Sequence, residues 1–200
     1  WSSDVCSSDL APLDPQPIFE LGGVYFDAGK YQFAVDQFER VTKLNPRYPL
    51  ANLYIAKAAQ KLGLFDRALQ EIKKEKEKNP SLAEPFFLAG EIYTDLKQYS
   101  NCITELQKAI ALRPGDSANY VQLSVCYRLT GNFDVAVTML RKAADKESGN
   151  ADIYRELGLN YHMKGEPTQA LQALKQYLLL APAANDMGAI NQLMKKIEGQ

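Results

Sequence analysis

The chain has 200 residues, 46% of them hydrophobic and 24% charged, with 12 glycines, 10 prolines, 3 cysteines and a formal net charge of -1. That balance excludes a disordered chain, a collagen-like chain and a disulfide-dense scaffold, and no apolar run reaches the length of a membrane span. The 23 Lys and Arg and 24 Asp and Glu are spread along the chain, so nothing concentrates positive charge on phosphates and nucleic acid is not an expected partner.

The opening decapeptide, Trp1 to Leu10, has neither helical nor strand periodicity and repeats Ser-Ser-Asp. It resembles one reading frame of a translated sequencing-library adapter and reads as a non-native segment. Without Asp4 and Asp9, 23 basic residues face 22 acidic ones, a formal +1, and Cys6 and the single tryptophan go with the segment. Cys102 and Cys126 remain, with no CxxC spacing and no cluster of His or Asp around them; neither a zinc site nor a redox role is expected. The compartment, cytoplasmic or bacterial periplasmic, stays open.

From Pro12 onward the chain is periodic. Pro12, Pro46, Pro80, Pro114 and Pro182 fall on one lattice of 34 residues, with Ser148 in the gap, and Gly29, Gly63, Gly131 and Gly165 fall on a second of the same period, with Lys97 as its exception. Counting repeats from Pro15, Pro49, Ala83, Ser117 and Ala151, the eighth position holds Gly22, Ala56, Gly90, Ser124 and Gly158, and the twentieth Ala34, Ala68, Cys102, Ala136 and Ala170. Small residues at fixed offsets let two helix backbones approach closely. Large residues at the seventh and eleventh positions, such as Leu21 and Tyr25 or Leu157 and Tyr161, complete an i, i+3, i+4, i+7 stripe. A second stripe follows in every repeat, for example Val35, Phe38 and Val41 or Val137, Leu140 and Ala143. The glycine lattice lies between the two helices, where positive φ closes the first, and the proline lattice lies after the second, where it stops it. Each repeat is a helical hairpin. Pro12 sits on the proline lattice, so residues 11–14 read as the end of a preceding, truncated repeat.

These residues resemble the tetratricopeptide repeat. The resemblance covers residues 15–184 and implies an all-α, right-handed α-solenoid of five hairpins, at 15–48, 49–82, 83–116, 117–150 and 151–184. Residues 185–200 carry Ile190, Leu193, Met194 and Ile197 on one stripe and read as a capping helix. The chain departs from the family at Asn52, where a large residue is usual, at Ala59 in place of tyrosine, at Glu75 in place of a small residue and at Pro167 in place of an aromatic. The second repeat collects most of these departures and is expected to open first.

No P-loop, GxGxxG, HExxH, GxSxG or EF-hand pattern occurs, and one histidine, His162, supplies neither a metal site nor a triad. No enzyme activity and no cofactor are expected. Cys102 takes a small-residue lattice position in place of alanine and Cys126 lies in an apolar stripe, and both read as inert core thiols. Lys73 to Lys78 alternate in sign at a helix C-terminus and read as a solvated face.

The resemblance further implies that the first helices line a concave groove that takes partners. Carried over position by position, the groove presents Phe19 and Phe26; Leu53, Lys57 and Gln60; Phe87, Glu91 and Thr94; Val121, Val125 and Arg128; and Arg155, Leu159 and His162. The mixture suits a helix or extended peptide with apolar anchors, with selectivity from Lys57, Glu91, Arg128 and Arg155. Co-chaperones of the family clamp a C-terminal carboxylate with Lys and Asn at offsets five and nine; here Phe19 and Gly23, or their equivalents, stand there, so no affinity for acidic chaperone tails is expected. The function read from the sequence is a protein-binding scaffold; the alternatives are the recruiting or regulatory arm of a larger enzyme and a component of a bacterial envelope assembly.

Overall fold

The computed structural model describes residues 14–199; the adapter-like segment 1–10 and residues 11–13 lie outside them. Five helical hairpins and a final helix follow one another: α1 (Pro15–Asp27) with α2 (Tyr31–Leu44), α3 (Ala51–Lys61) with α4 (Phe65–Lys78), α5 (Glu84–Asp95) with α6 (Tyr99–Leu112), α7 (Ser117–Leu129) with α8 (Phe133–Lys146), α9 (Ala151–Met163) with α10 (Pro167–Leu180), then α11 (Met187–Glu198). No strand occurs among the described residues. Two compact units divide between Pro80 and Ser81: α1 to α4 form one and α5 to α11 the other.

The glycine lattice ends every first helix in the same way. Gly29, Gly63, Gly131 and Gly165 have φ of 71°, 74°, 78° and 76°, and Lys97 takes the same left-handed conformation at φ 58°. Around each, a pair of backbone bonds closes the helix: Lys30 N–H donates to Tyr25 C=O (2.8 Å) and Gly29 N–H to Phe26 C=O (2.9 Å), and the pairs at Lys97, Gly131 and the others repeat it. This 6→1 and 5→2 pairing satisfies carbonyls that a helix C-terminus leaves open. At the other lattice the second helices end two residues before the proline. Asn45, Asn79, Arg113 and Ala181 are pulled out of helical geometry, with ψ between 66° and 96°, as the steric demand of a following proline ring requires. Glu147, ahead of Ser148, adopts ψ 76° as well, so the surrounding packing holds this bend without a proline.

Within a hairpin the eighth position sets the distance between helices. A Cβ on Gly22 would lie 2.5 Å from Phe38 Cε1, on Gly90 2.6 Å from Leu106 Cγ and on Gly158 2.5 Å from Leu174. Phe38, Leu106 and Leu174 are fully buried against these bare backbones. Second helices also cover the next first helix inside each compact unit: α2 packs on α3, α6 on α7 and α8 on α9. Ile190, Met194 and Ile197 of α11 are buried in the core cluster that holds Leu174 and Tyr177 of α10. No helix among the described residues is long and apolar enough to cross a membrane.

Two expectations from the sequence do not hold. Cys102 and Cys126 are not independent core thiols: they form a disulfide that joins α6 to α7, with Cα atoms 6.5 Å apart. The repeat geometry explains it. The twentieth position of one repeat packs against the tenth of the next, where Ala34 and Ala58 share one core cluster in the first compact unit, and two cysteines at these facing small-residue positions come within bonding reach. The run Lys73 to Lys78 is also not wholly solvated, because Glu75 is 0% exposed. Its Oε1 accepts from Asn79 Nδ2 (2.6 Å) and its Oε2 has no hydrogen-bond partner. A carboxylate at a position built for a small residue has no room to reach water.

Candidate functional site

All fourteen groove residues named from the sequence lie on first helices: Phe19 and Phe26 on α1, three each on α3, α5, α7 and α9. Offsets five, nine and twelve are four and three residues apart and therefore share one helix face. Thirteen of the fourteen are half-buried; Leu53, at 2% exposure, is a core residue and offers no surface to a partner.

In the first compact unit Phe19 and Phe26 belong to an aromatic cluster. The Phe19 ring lies 5.2 Å from Phe38, 5.1 Å from Tyr48 and 5.2 Å from Tyr54, and Phe26 lies 5.3 Å from Tyr31 and 6.5 Å from Tyr54. Lys57 Nζ sits 5.0 Å above the Tyr54 ring, a cation–π contact that leaves its charge beside an apolar surface. Tyr54, at offset six, was not named from the sequence, yet it links Phe19, Phe26 and Lys57. Its signal was the aromatic count of the first two repeats, read together rather than offset by offset.

In the second compact unit α5 adjoins α7 and α7 adjoins α9, which brings their three triplets side by side. Phe87 borders a cavity of about 140 Å³ that Asn119 and Glu84 also line. Val121 and Phe87 pack partly on core residues. Thr94 Oγ1 lies 3.3 Å from Cys102 Sγ and 3.2 Å from Cys126 Sγ, donates to Gly90 C=O (2.9 Å) and accepts from Gln122 Nε2 (3.3 Å). The disulfide therefore lies directly beneath a groove residue.

Arg128 and Arg155 do not stand free to select a partner's charge. Both hold the buried Glu156: Arg128 Nε donates to Oε2 (3.1 Å) and Arg155 NH1 to Oε1 (2.8 Å). Arg155 Nε also donates to Asp186 Oδ2 (2.6 Å), and Tyr177 Oη donates to Asp186 Oδ1 (2.5 Å). Two guanidiniums thus meet two carboxylates, and the patch is nearly neutral. The hydrogen bonds from Tyr177 and Arg155 hold the Asp186 carboxyl below the usual carboxylate range. Burial, with the Asp186 carboxylate beside it, pushes the Tyr177 phenol up to about 12. The sequence missed Glu156 and Asp186 because neither occupies a groove offset. No group of three or more His, Cys, Asp or Glu among the described residues is arranged to hold a metal ion.

Comparison with known proteins agrees with this architecture. The rat peptidyl-prolyl cis-trans isomerase FKBP4 (Rattus norvegicus) is 25% identical over 126 residues, covering 56% of this chain, which spans about 28% of the length of that relative. Among solved structures, PilW, described as a widely conserved type IV pilus biogenesis factor, is 20% identical with a TM-score of 0.84 over 94% of this chain and 88% of its own. YrrB, described as a TPR protein with an unusual peptide-binding site, is 18% identical with a TM-score of 0.69 over 92% of both chains. A family model described as tetratricopeptide repeat matches residues 19–83 and 127–187, and a further one residues 83–116. With five repeated hairpins, their shared caps and these matches along most of its length, the chain belongs to the tetratricopeptide repeat family.

Proposed function

We propose that this chain, a protein-interaction scaffold by its repeats, holds a peptide or helix of its partner on the face formed by α5, α7 and α9. The observation that carries the reading is the half-buried apolar set Phe87, Val121, Val125 and Leu159 on three adjoining first helices. Half-buried side chains anchored in a rigid framework lose little entropy when a partner covers them, and such anchors usually supply most of the binding energy. YrrB, a protein of the same fold described as carrying an unusual peptide-binding site, is in keeping with this. Selectivity falls to polar residues beside the apolar set, such as Gln122 and His162, more than to the arginines, whose charge Glu156 and Asp186 already answer.

The test is partner capture from a cell extract of the source organism, followed by binding of the captured protein's peptides. Phe87→Ala combined with Leu159→Ala lowers affinity at least tenfold while circular dichroism stays unchanged. Unchanged capture moves the site away from this face.

A further inference from the structure

Four buried side-chain polar atoms among the described residues have no hydrogen-bond partner: Glu75 Oε2, Glu84 Oε2, Asn119 Nδ2 and Asn160 Oδ1. Two of these residues, Glu84 and Asn119, line the same cavity of about 140 Å³, which Phe87 of the α5, α7 and α9 face also borders. Glu84 opens α5 and Asn119 lies in the first turn of α7, so both walls stand inside the second compact unit. Their neighbours hold them in place. Arg113 NH1 donates to Glu84 Oε1 (3.0 Å), which occupies one carboxylate oxygen and leaves the other. Asp116 caps α7 by accepting from Ala118 N–H (3.1 Å), and Asn119 one residue on is 2% exposed. A buried polar atom without a partner costs stability that a bound group restores when it supplies the missing hydrogen bond.

The two atoms are of opposite kinds: Glu84 Oε2 accepts a hydrogen and Asn119 Nδ2 donates one. An ammonium group only donates and leaves Asn119 unpaired. A carboxylate only accepts, and it meets Glu84 and Asp116 against the single positive charge of Arg113. A primary carboxamide carries both functions on separate atoms, its NH2 donating to Glu84 Oε2 while its C=O accepts from Asn119 Nδ2. The cavity has room for such a side chain, since one water takes only about 30 Å³ of liquid, and Phe87 and Ala118 give its methylenes apolar walls. A main-chain amide has the same functions but is flanked by chain on both sides, which a recess of this size does not admit. We infer, on the reading that the α5, α7 and α9 face holds a peptide, that this cavity is the subsite for a Gln or Asn side chain of that peptide. Such a subsite rejects an analogue without the amide, because its own buried atoms are then left unpaired.

The probe is a random peptide library displayed on phage and selected on the whole chain. Peptides bound at the face are those whose affinity falls at least tenfold on Val125→Ala combined with Leu159→Ala, neither of which lines the cavity. These peptides are expected to share a Gln or Asn at one position. Replacing it by the matching acid, Glu or Asp, or by an apolar residue of similar length should weaken binding at least tenfold in fluorescence anisotropy. Glu84→Gln keeps the shape of the side chain but lets both walls donate, so it should reverse the order and favour the acid peptide over the amide one, with circular dichroism unchanged. Face-bound peptides with no shared carboxamide, with Ser or Thr in its place, or with an amide preference that Glu84→Gln leaves intact overturn the subsite and leave the face standing. A library that yields no face-bound peptide overturns the face, and the subsite with it.

Discussion

Lys97 is the one position of the glycine lattice where a side chain has to tolerate φ 58°. A left-handed residue with a Cβ costs about 1–2 kcal/mol, part of which glycine returns through its greater freedom in the unfolded chain. Lys97→Gly is therefore expected to stabilise the chain by about 0.5–1 kcal/mol, seen as a higher urea midpoint at unchanged slope. Asp186 and Tyr177 make a second residue-scale prediction. A carboxyl held low contributes stability that is complete above the ordinary carboxylate range and is lost as pH falls through its folded value; a phenol raised to about 12 contributes stability that is complete below its ordinary value and is lost as pH rises towards 12. Thermal midpoints should be level between about pH 5 and 9 and fall on both sides. Tyr177→Phe should shrink the alkaline fall, part of which the raised Tyr48 phenol and Lys164 ammonium keep, and leave part of the acid one, since Arg155 still faces Asp186. A pH profile unchanged by Tyr177→Phe would separate the alkaline limb from this contact.

At the scale of helices, the disulfide between α6 and α7 closes a loop of 24 residues, worth about 3–4 kcal/mol by chain entropy. Alkylation of the unfolded chain should label Cys102 and Cys126 only after reduction, as peptide mass mapping reads directly. Reduction should lower the denaturation midpoint, and Cys102→Ala with Cys126→Ala should lower it equally, because alanines already meet at the corresponding place in the first compact unit. The α3–α4 hairpin is the expected weak element. Asn52, buried where a large residue is usual, donates to Glu71 (2.5 Å), and a cavity of about 630 Å³ opens beside this pair. With Glu75 buried and half-satisfied nearby in sequence, polar groups replace apolar contacts in one hairpin. Amide hydrogen exchange should be fastest, among interior helices, in α3 and α4; slower exchange there than in α7 and α8 would refute this.

For the whole molecule, the first-helix faces lack the Lys and Asn pair that a carboxylate clamp needs, and the arginines nearest the site are neutralised by Glu156 and Asp186. An acidic peptide with a free C-terminus should bind no more than tenfold tighter than its C-terminal amide. A larger carboxylate dependence in fluorescence anisotropy would show that cationic groups reach the ligand after all.

The order of helices, their caps and the close contact within each hairpin were legible in the sequence, because each depends on residues a fixed number of positions apart. A glycine at the thirty-four-residue spacing predicts positive φ, and a small eighth residue predicts Leu or Phe pressed against bare backbone. The fourteen groove candidates could be placed on their helices in the same way. What local spacing cannot carry is which distant side chains meet. Leu53 is buried in the core, Arg128 and Arg155 pair with Glu156 and Asp186, and Cys102 found Cys126 only once α6 lay across α7. Those outcomes depend on the packing of whole helices, which decides whether a charge or a thiol faces water, a partner or another residue of the same chain. The sequence by itself determined a family and a repeating unit; the tertiary structure decided which side chains of different units meet one another, because that depends on how whole helices pack.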